Sequence, residues 1–248
     1  MKHFFRLLKS DFMKMRHTMF YTLHIAIPVI IATLILVYYA LTGYSNIGKI
    51  QAFIEMIAIS FPFVGALMVS MSMESEAQAG NFKELLSCEF GKTILFISKL
   101  SCLLINGIIA VTIAMTEFYI GFTYILGQNP FKLSFYVEIW LVLIVGQIFE
   151  YIFHCILSIW YGQGITIAVG ILETLIAALM LTGLGDGIWK VIPCSWSARL
   201  CDYSMLYYSN KEFLFTNMQS EFWMIAIFTI ISFIIALGLF NRFEGRIN

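Results

Sequence analysis

Charge is scarce in this sequence. Of 248 residues, only 12% are Asp, Glu, Lys or Arg, about half the share of a soluble domain. The 15 basic and 15 acidic residues cancel, so no bulk attraction to nucleic acid is expected. No Cys-x-x-Cys pair and no His-Glu-x-x-His occurs among the five cysteines and four histidines, which removes the common metal spacings. Segments alternating apolar and polar residues, the mark of a membrane β-barrel, are missing as well. No repeat and no low-complexity linker divides the chain, which reads as one domain.

What is abundant is apolar surface: 60% of residues are hydrophobic and the mean hydropathy is +0.86. A helical crossing of a bilayer needs about 20 apolar residues. Six segments qualify, at 20–41, 53–73, 94–126, 133–161, 165–184 and 222–240. The expected class is therefore an all-α integral membrane protein with six transmembrane helices. The third and fourth segments exceed the bilayer and are expected to tilt or to run on past it. No cleavable signal peptide is expected, because the first apolar run starts late and is long.

Lys and Arg set the orientation. With the N-terminus inside, ten fall inside (Lys2, Arg6, Lys9, Lys14, Arg16, Lys83, Lys92, Lys99, Arg242, Arg246) and five outside (Lys49, Lys132, Lys190, Arg199, Lys211). Both termini are thus expected in the cytoplasm. Residues 1–19 read as an amphipathic helix in the inner membrane surface. Phe4, Phe5, Leu8, Phe12, Met15 and Met19 share one face, opposite Lys2, Arg6, Lys9 and Arg16. A plain extension of the first span is the alternative.

The segment 185–221 is too long for a turn and too interrupted to cross. It reads as a re-entrant or interfacial helix on the outer side, carrying Trp189, Pro193, Trp196 and Arg199. Its aromatics Trp189, Trp196, Tyr203, Tyr207 and Tyr208 suit headgroup level. Cys194 and Cys201 share that loop and would form a disulfide only on an oxidising side; otherwise the cysteines are small membrane hydrophobes.

Gly91-Lys92-Thr93 resembles the end of a P-loop, but Leu86 stands where its first glycine belongs and a span follows at once. Nucleotide binding by this chain is not expected, and its cofactors are none. Just before it, Asn81 and Glu84 are spaced as a capping box for a short helix with Phe82, Leu85 and Leu86 on an apolar edge and Lys83 on a wet one. Such a helix suits either a groove on a partner or the lipid surface alone.

These features together resemble an integral-membrane subunit of an ABC-2 type transporter, with type V exporter-like topology. More narrowly they resemble the lantibiotic-immunity permeases of the MutE/EpiE and MutG families. The matching stretches are LLKSDFMKMRHTMFYTLHIAIPV, the six spans, ESEAQAGNFKELL followed by Lys99, and IWKVIPCSWSARL. The resemblance implies that Gly80, Asn81, Phe82, Lys83, Glu84, Leu85 and Leu86 belong to a coupling helix, spanning 80–88, on a separate ATPase. It implies two ATPase copies that hold ATP and Mg, and a second permease subunit, homologous or identical. It also implies export of a lantibiotic peptide from the plasma membrane of a Gram-positive bacterium. Export of another drug or lipid-linked cargo is the alternative within that fold.

A charge at mid-membrane costs about 2.5–3.5 kcal/mol on insertion scales, so each such group asks for a reason. Glu55 and Glu138 lie near outer span ends, whereas Glu117, Glu150, His154 and Glu173 are deeper. Glu150 and His154 share a helical face, and His154 and Glu173 are equally far from the turn at 161–164. An internal polar cluster of Glu150, His154 and Glu173 is expected, with Glu117 as a further intramembrane acid. It either holds the hairpin together or lines a path for a cationic peptide. Pro28 is expected to bend the first span. A haem held by His24 and His154 is conceivable from two inner histidines but weakly founded, and an intramembrane enzyme lacks its motifs: Gly43 to Gly48 has no Gly-x-Ser-x-Gly spacing.

Overall fold

The computed structural model describes residues 2–16, 18–86, 91–209 and 219–246. Among them helix is the only regular structure, as expected for apolar runs whose backbone groups must bond internally. The order is α1 (Lys2–Met15), α2 (Phe20–Leu41), α3 (Asn46–Gln78), α4 (Lys83–Leu86), α5 (Lys92–Ile120, with a π-turn at Gly121–Ile125), α6 (Leu133–Met180), α7 (Trp196–Ser209) and α8 (Gln219–Arg242). Among the described residues, five helices (α2, α3, α5, α6, α8) are long and apolar enough to cross a membrane. The fold is that of a multi-pass helical membrane protein.

The expected fourth span and all but the last four residues of the fifth, 165–184, fall within α6, which ends at Met180 and is broken at Gly162, with φ 83° and ψ −179°. Glycine adopts that positive φ without penalty. In one straight helix, His154 and Glu173 would stand about 28 Å apart. Their side chains meet at 3.2 Å, so the limbs on either side of Gly162 fold back as an antiparallel hairpin.

The second limb packs on α3, and the contact is close because Gly170 has no side chain. A Cβ there would meet the Ala66 Cβ at 2.5 Å and the Pro62 carbonyl at 2.9 Å. Pro62 interrupts the α3 ladder, and the nearby Phe63 N–H donates instead to Thr174 Oγ1 at 3.2 Å.

Two apolar cores lie toward opposite ends of the bundle. In one, Phe53, Phe118 and Phe122 stack, with ring centres 3.7 and 5.1 Å apart. In the other, Met15, Phe20, Phe82, Phe96, Phe240 and Phe243 are buried together. Each aromatic pair adds about 0.5–1.5 kcal/mol beyond its area.

Helix α1 docks on the second core through Leu7, Leu8, Phe12 and Met15. It ends at Met15, so the expected apolar face is shortened: Phe5 and Met19 are exposed. The Thr18 hydroxyl donates to the Met15 carbonyl at this stop.

The segment after α6 enters the bundle. Trp196 is fully buried and packs edge-on against Phe149, midway along the first limb of α6, while Tyr208 sits against Phe135 near that limb's start. Thus α7 climbs from mid-bundle toward one end, as a re-entrant segment does. Trp189 is buried too, so the rings of Trp189 and Trp196, expected at headgroup level, pack against protein. Arg199 donates to the carbonyls of Met180 and Thr182 and pairs with Asp186, satisfying orphan acceptors where α6 stops. Cys194 and Cys201 are free and buried.

Candidate functional site

Three polar sites lie in this apolar frame. The first is the elbow between α3 and α5. Asn81 and Phe82 both have positive φ, 52° and 63°, and α4 is a single turn, Lys83–Leu86. Asn81 is expected to cap α4 in a box with Glu84, whose side chain lies outside the described set. The Asn81 amide donates to the Arg246 carbonyl at 2.9 Å and accepts from the Arg246 N–H at 3.1 Å. Asn81 tolerates the left-handed conformation better than most residues, and its amide is thereby aimed at the segment after α8.

Phe82 offers no apolar edge to a partner, which corrects the expected role of its ring. It is fully buried, edge-on to Phe243 at 5.3 Å and beneath the Arg246 guanidinium. The outward residues of the described elbow are Gln78, Ala79 and Lys83. The side chains of Glu84 and Leu85 and all of residues 87–90, including Cys88, lie outside the described set. Lys92 donates to the carbonyls of Phe243 and Asn241, and Thr93 donates to the Asn241 side chain. The Gly91-Lys92-Thr93 triplet is thus engaged with the end of α8.

The second site joins α1, α3 and α5. Glu76 accepts from Lys99 at 2.9 Å and from Lys14 at 3.1 Å. The side chains of Glu76 and Lys99 are nearly inaccessible, while Lys14 keeps one face in solvent. Asp11, on the docking face of α1, accepts from the Ser98 hydroxyl. Burial pushes the Asp11 carboxyl above the usual carboxylate range, against the pull of Lys99 and Ser98. Two acids and two bases balance here. Periodicity missed Asp11, because an acid on an apolar face has no helical signature; its only sign was its place between Leu8 and Met15.

The third site is the acidic–histidine triad inside the α6 hairpin. His154 Nε2 lies 3.2 Å from Glu173 Oε2 and 3.5 Å from Glu150 Oε2. The three residues expected to cluster from the sequence do so, and their ligand atoms lie within 4.8 Å of one another. Glu117 does not join them: it accepts from the Thr33 hydroxyl at 2.6 Å, between α2 and α5. Glu55 and Glu138, the acids near span ends, accept from Gln51 and Tyr208.

His24 donates through Nδ1–H to the Phe20 carbonyl at 2.9 Å, and its ring lies tilted against the Phe20 ring. With Pro28 it lines an apolar cavity between α2, α3 and α5. His24 and His154 therefore have separate surroundings.

A further polar residue was read only as a boundary charge. Lys49 is buried and donates to the carbonyls of Tyr39 and Thr42 and to Gln128, closing the end of α2 as a lysine near a helix C-terminus does. No family model matches the chain, and no curated protein matches its sequence.

Proposed function

We propose that the chain is the permease subunit of an ATP-driven exporter of ABC-2 architecture, with six crossings once the α6 hairpin is counted as two. The observation that carries this reading is the elbow. Residues 79–91 join two membrane-length helices at the end of the bundle where α1 docks and where the segment after α8 returns. That elbow is held from beneath by Phe82 and Asn81, leaving Gln78, Ala79 and Lys83 facing outward. A rigidly seated elbow transmits an applied push to α3 and α5, which is what coupling to a separate motor requires.

In this reading the elbow and both termini are cytoplasmic, two ATPase copies supply the energy, and a second permease subunit completes the pathway. The cargo is a lantibiotic-type peptide, and the gain to the cell is immunity; another drug or lipid-linked cargo would use the same fold. The chain itself performs no catalysis and binds no nucleotide, and its surroundings are the plasma membrane of a Gram-positive bacterium.

The test is a Lys83→Cys variant in native membranes. An impermeant thiol reagent should label it only after the cells are opened, and a photo-crosslinker at that position should capture a nucleotide-binding subunit. Labelling from outside intact cells, or ATP hydrolysis by the purified chain alone, would overturn the reading.

A further inference from the structure

We propose that Glu150, His154 and Glu173 form a binding site for one divalent transition-metal ion of the zinc class, clamped between the two limbs of α6. The inference stands apart from the transport reading and rests on the geometry of the triad.

Distance and direction come first. The imidazole Nε2 stands 3.2 and 3.5 Å from the two carboxylate oxygens. Good charge-assisted hydrogen bonds are about 2.7–2.9 Å long. Bonds of about 2.0–2.2 Å from a tetrahedral zinc put neighbouring ligand atoms about 3.3–3.5 Å apart. The two edges from His154 Nε2 have the length of those in a coordination polyhedron, and the third lies within 4.8 Å.

Satisfaction comes second. Both oxygens of Glu150, both ring nitrogens of His154 and Glu173 Oε2 are buried without a hydrogen-bond partner among the described residues. The His154 side chain is 0% exposed and that of Glu150 4%. One orphaned atom from each of the three residues lies within 4.8 Å of the other two, and at about 1–3 kcal/mol for each unsatisfied atom this is an environment that a cation relieves.

Charge comes third. With both carboxyls ionised beside a neutral imidazole the triad would hold two negative charges in the apolar bundle, a state that one divalent ion neutralises. One imidazole and two carboxylates are donors that suit zinc, manganese or iron. The frame is rigid: Glu150 and His154 are one turn apart, and Glu173 is fixed by the Gly170–Pro62 approach. Glu173, 15% exposed, is the open side through which the ion enters and where a fourth ligand binds.

The experiment uses the full-length protein, purified in detergent and stripped with a chelator. Zn²⁺ should then be retained at one ion per chain after desalting, by elemental analysis. The thermal midpoint should rise by roughly 5–10 °C at a hundredfold excess over Kd. Co²⁺ should give the visible ligand-field bands of a tetrahedral nitrogen–oxygen site. Glu150→Gln, His154→Gln and Glu173→Gln should each weaken retention about 10–100-fold, whereas Glu117→Gln should keep it. No retained metal, equal retention by His154→Gln, or a thiolate-to-Co²⁺ charge-transfer band would overturn the proposal. If a triad variant fails to fold, the Co²⁺ spectrum of the unmodified protein still decides.

Discussion

The guanidinium of Arg246 stands 5.1 Å from the centre of the Phe82 ring. The same group pairs with Glu74 at 2.9 Å and donates to the carbonyls of Ser158 and Ile159. One side chain thus ties together the end of α3, the elbow, and the end of the first limb of α6. A planar fork with five donors can do this; an ammonium cannot.

Arg246→Met should therefore lower stability by about 2 kcal/mol, the scale of hydrogen bonds to a charged group. Arg246→Lys should recover only the pairing with Glu74. Thermal unfolding in detergent measures the loss, and limited proteolysis should cut within 79–91 faster in Arg246→Met. An unchanged cleavage rate would mean that the elbow is held by other contacts.

The Glu76–Lys99 pair predicts an asymmetry. Lys99→Met should cost about 3–5 kcal/mol, because it strips Glu76 of its buried partner. Glu76→Gln combined with Lys99→Met should regain much of that, since the Glu76 charge is removed together with its buried partner and Lys14 keeps access to solvent. The thermal midpoints of the single and double variants test this. A double variant worse than Lys99→Met would refute the account.

Gly170→Ala should destabilise by about 1–3 kcal/mol through overpacking. Ala66→Gly should relieve only part of it, because the Pro62 carbonyl, at 2.9 Å from the new Cβ, is backbone and cannot step aside. Full rescue by Ala66→Gly would show that the hairpin shifts freely on α3.

The Cys201 and Cys194 thiols are both pushed up, by burial first and then by nearby carboxylates. The thiolate is the reactive form, so alkylation of these two should stay slow at neutral pH. It should accelerate only well above the pH at which a free cysteine ionises, or on unfolding. Mass spectrometry after timed maleimide exposure reads this, and reduction should leave the intact mass unchanged.

The apolar runs were legible because lipid demands length. The expected segment 20–41 matches α2, and 94–126 and 222–240 lie within a few residues of α5 and α8. Helix α3 outruns 53–73 because its polar ends remain helical, started by Ser45, whose hydroxyl accepts from Gly48 N–H. The His154–Glu173 meeting was readable by counting from the turn, since antiparallel limbs bring equal counts to equal depth. Helix rotation is not encoded that way. Glu117 turned out to face Thr33, and Phe82 was covered by residues far along the chain, because side-by-side packing decides both. Hydropathy likewise cannot distinguish a tryptophan at the lipid boundary from one, such as Trp196, inserted among helices.

The lock on the elbow also constrains the order of assembly. Its two halves, Glu74 and Arg246, lie 172 residues apart, so the elbow stays unlatched throughout insertion of α5, α6 and α8. A nascent chain halted before α8 would lack Phe243 and Arg246, the two groups that cover the Phe82 ring.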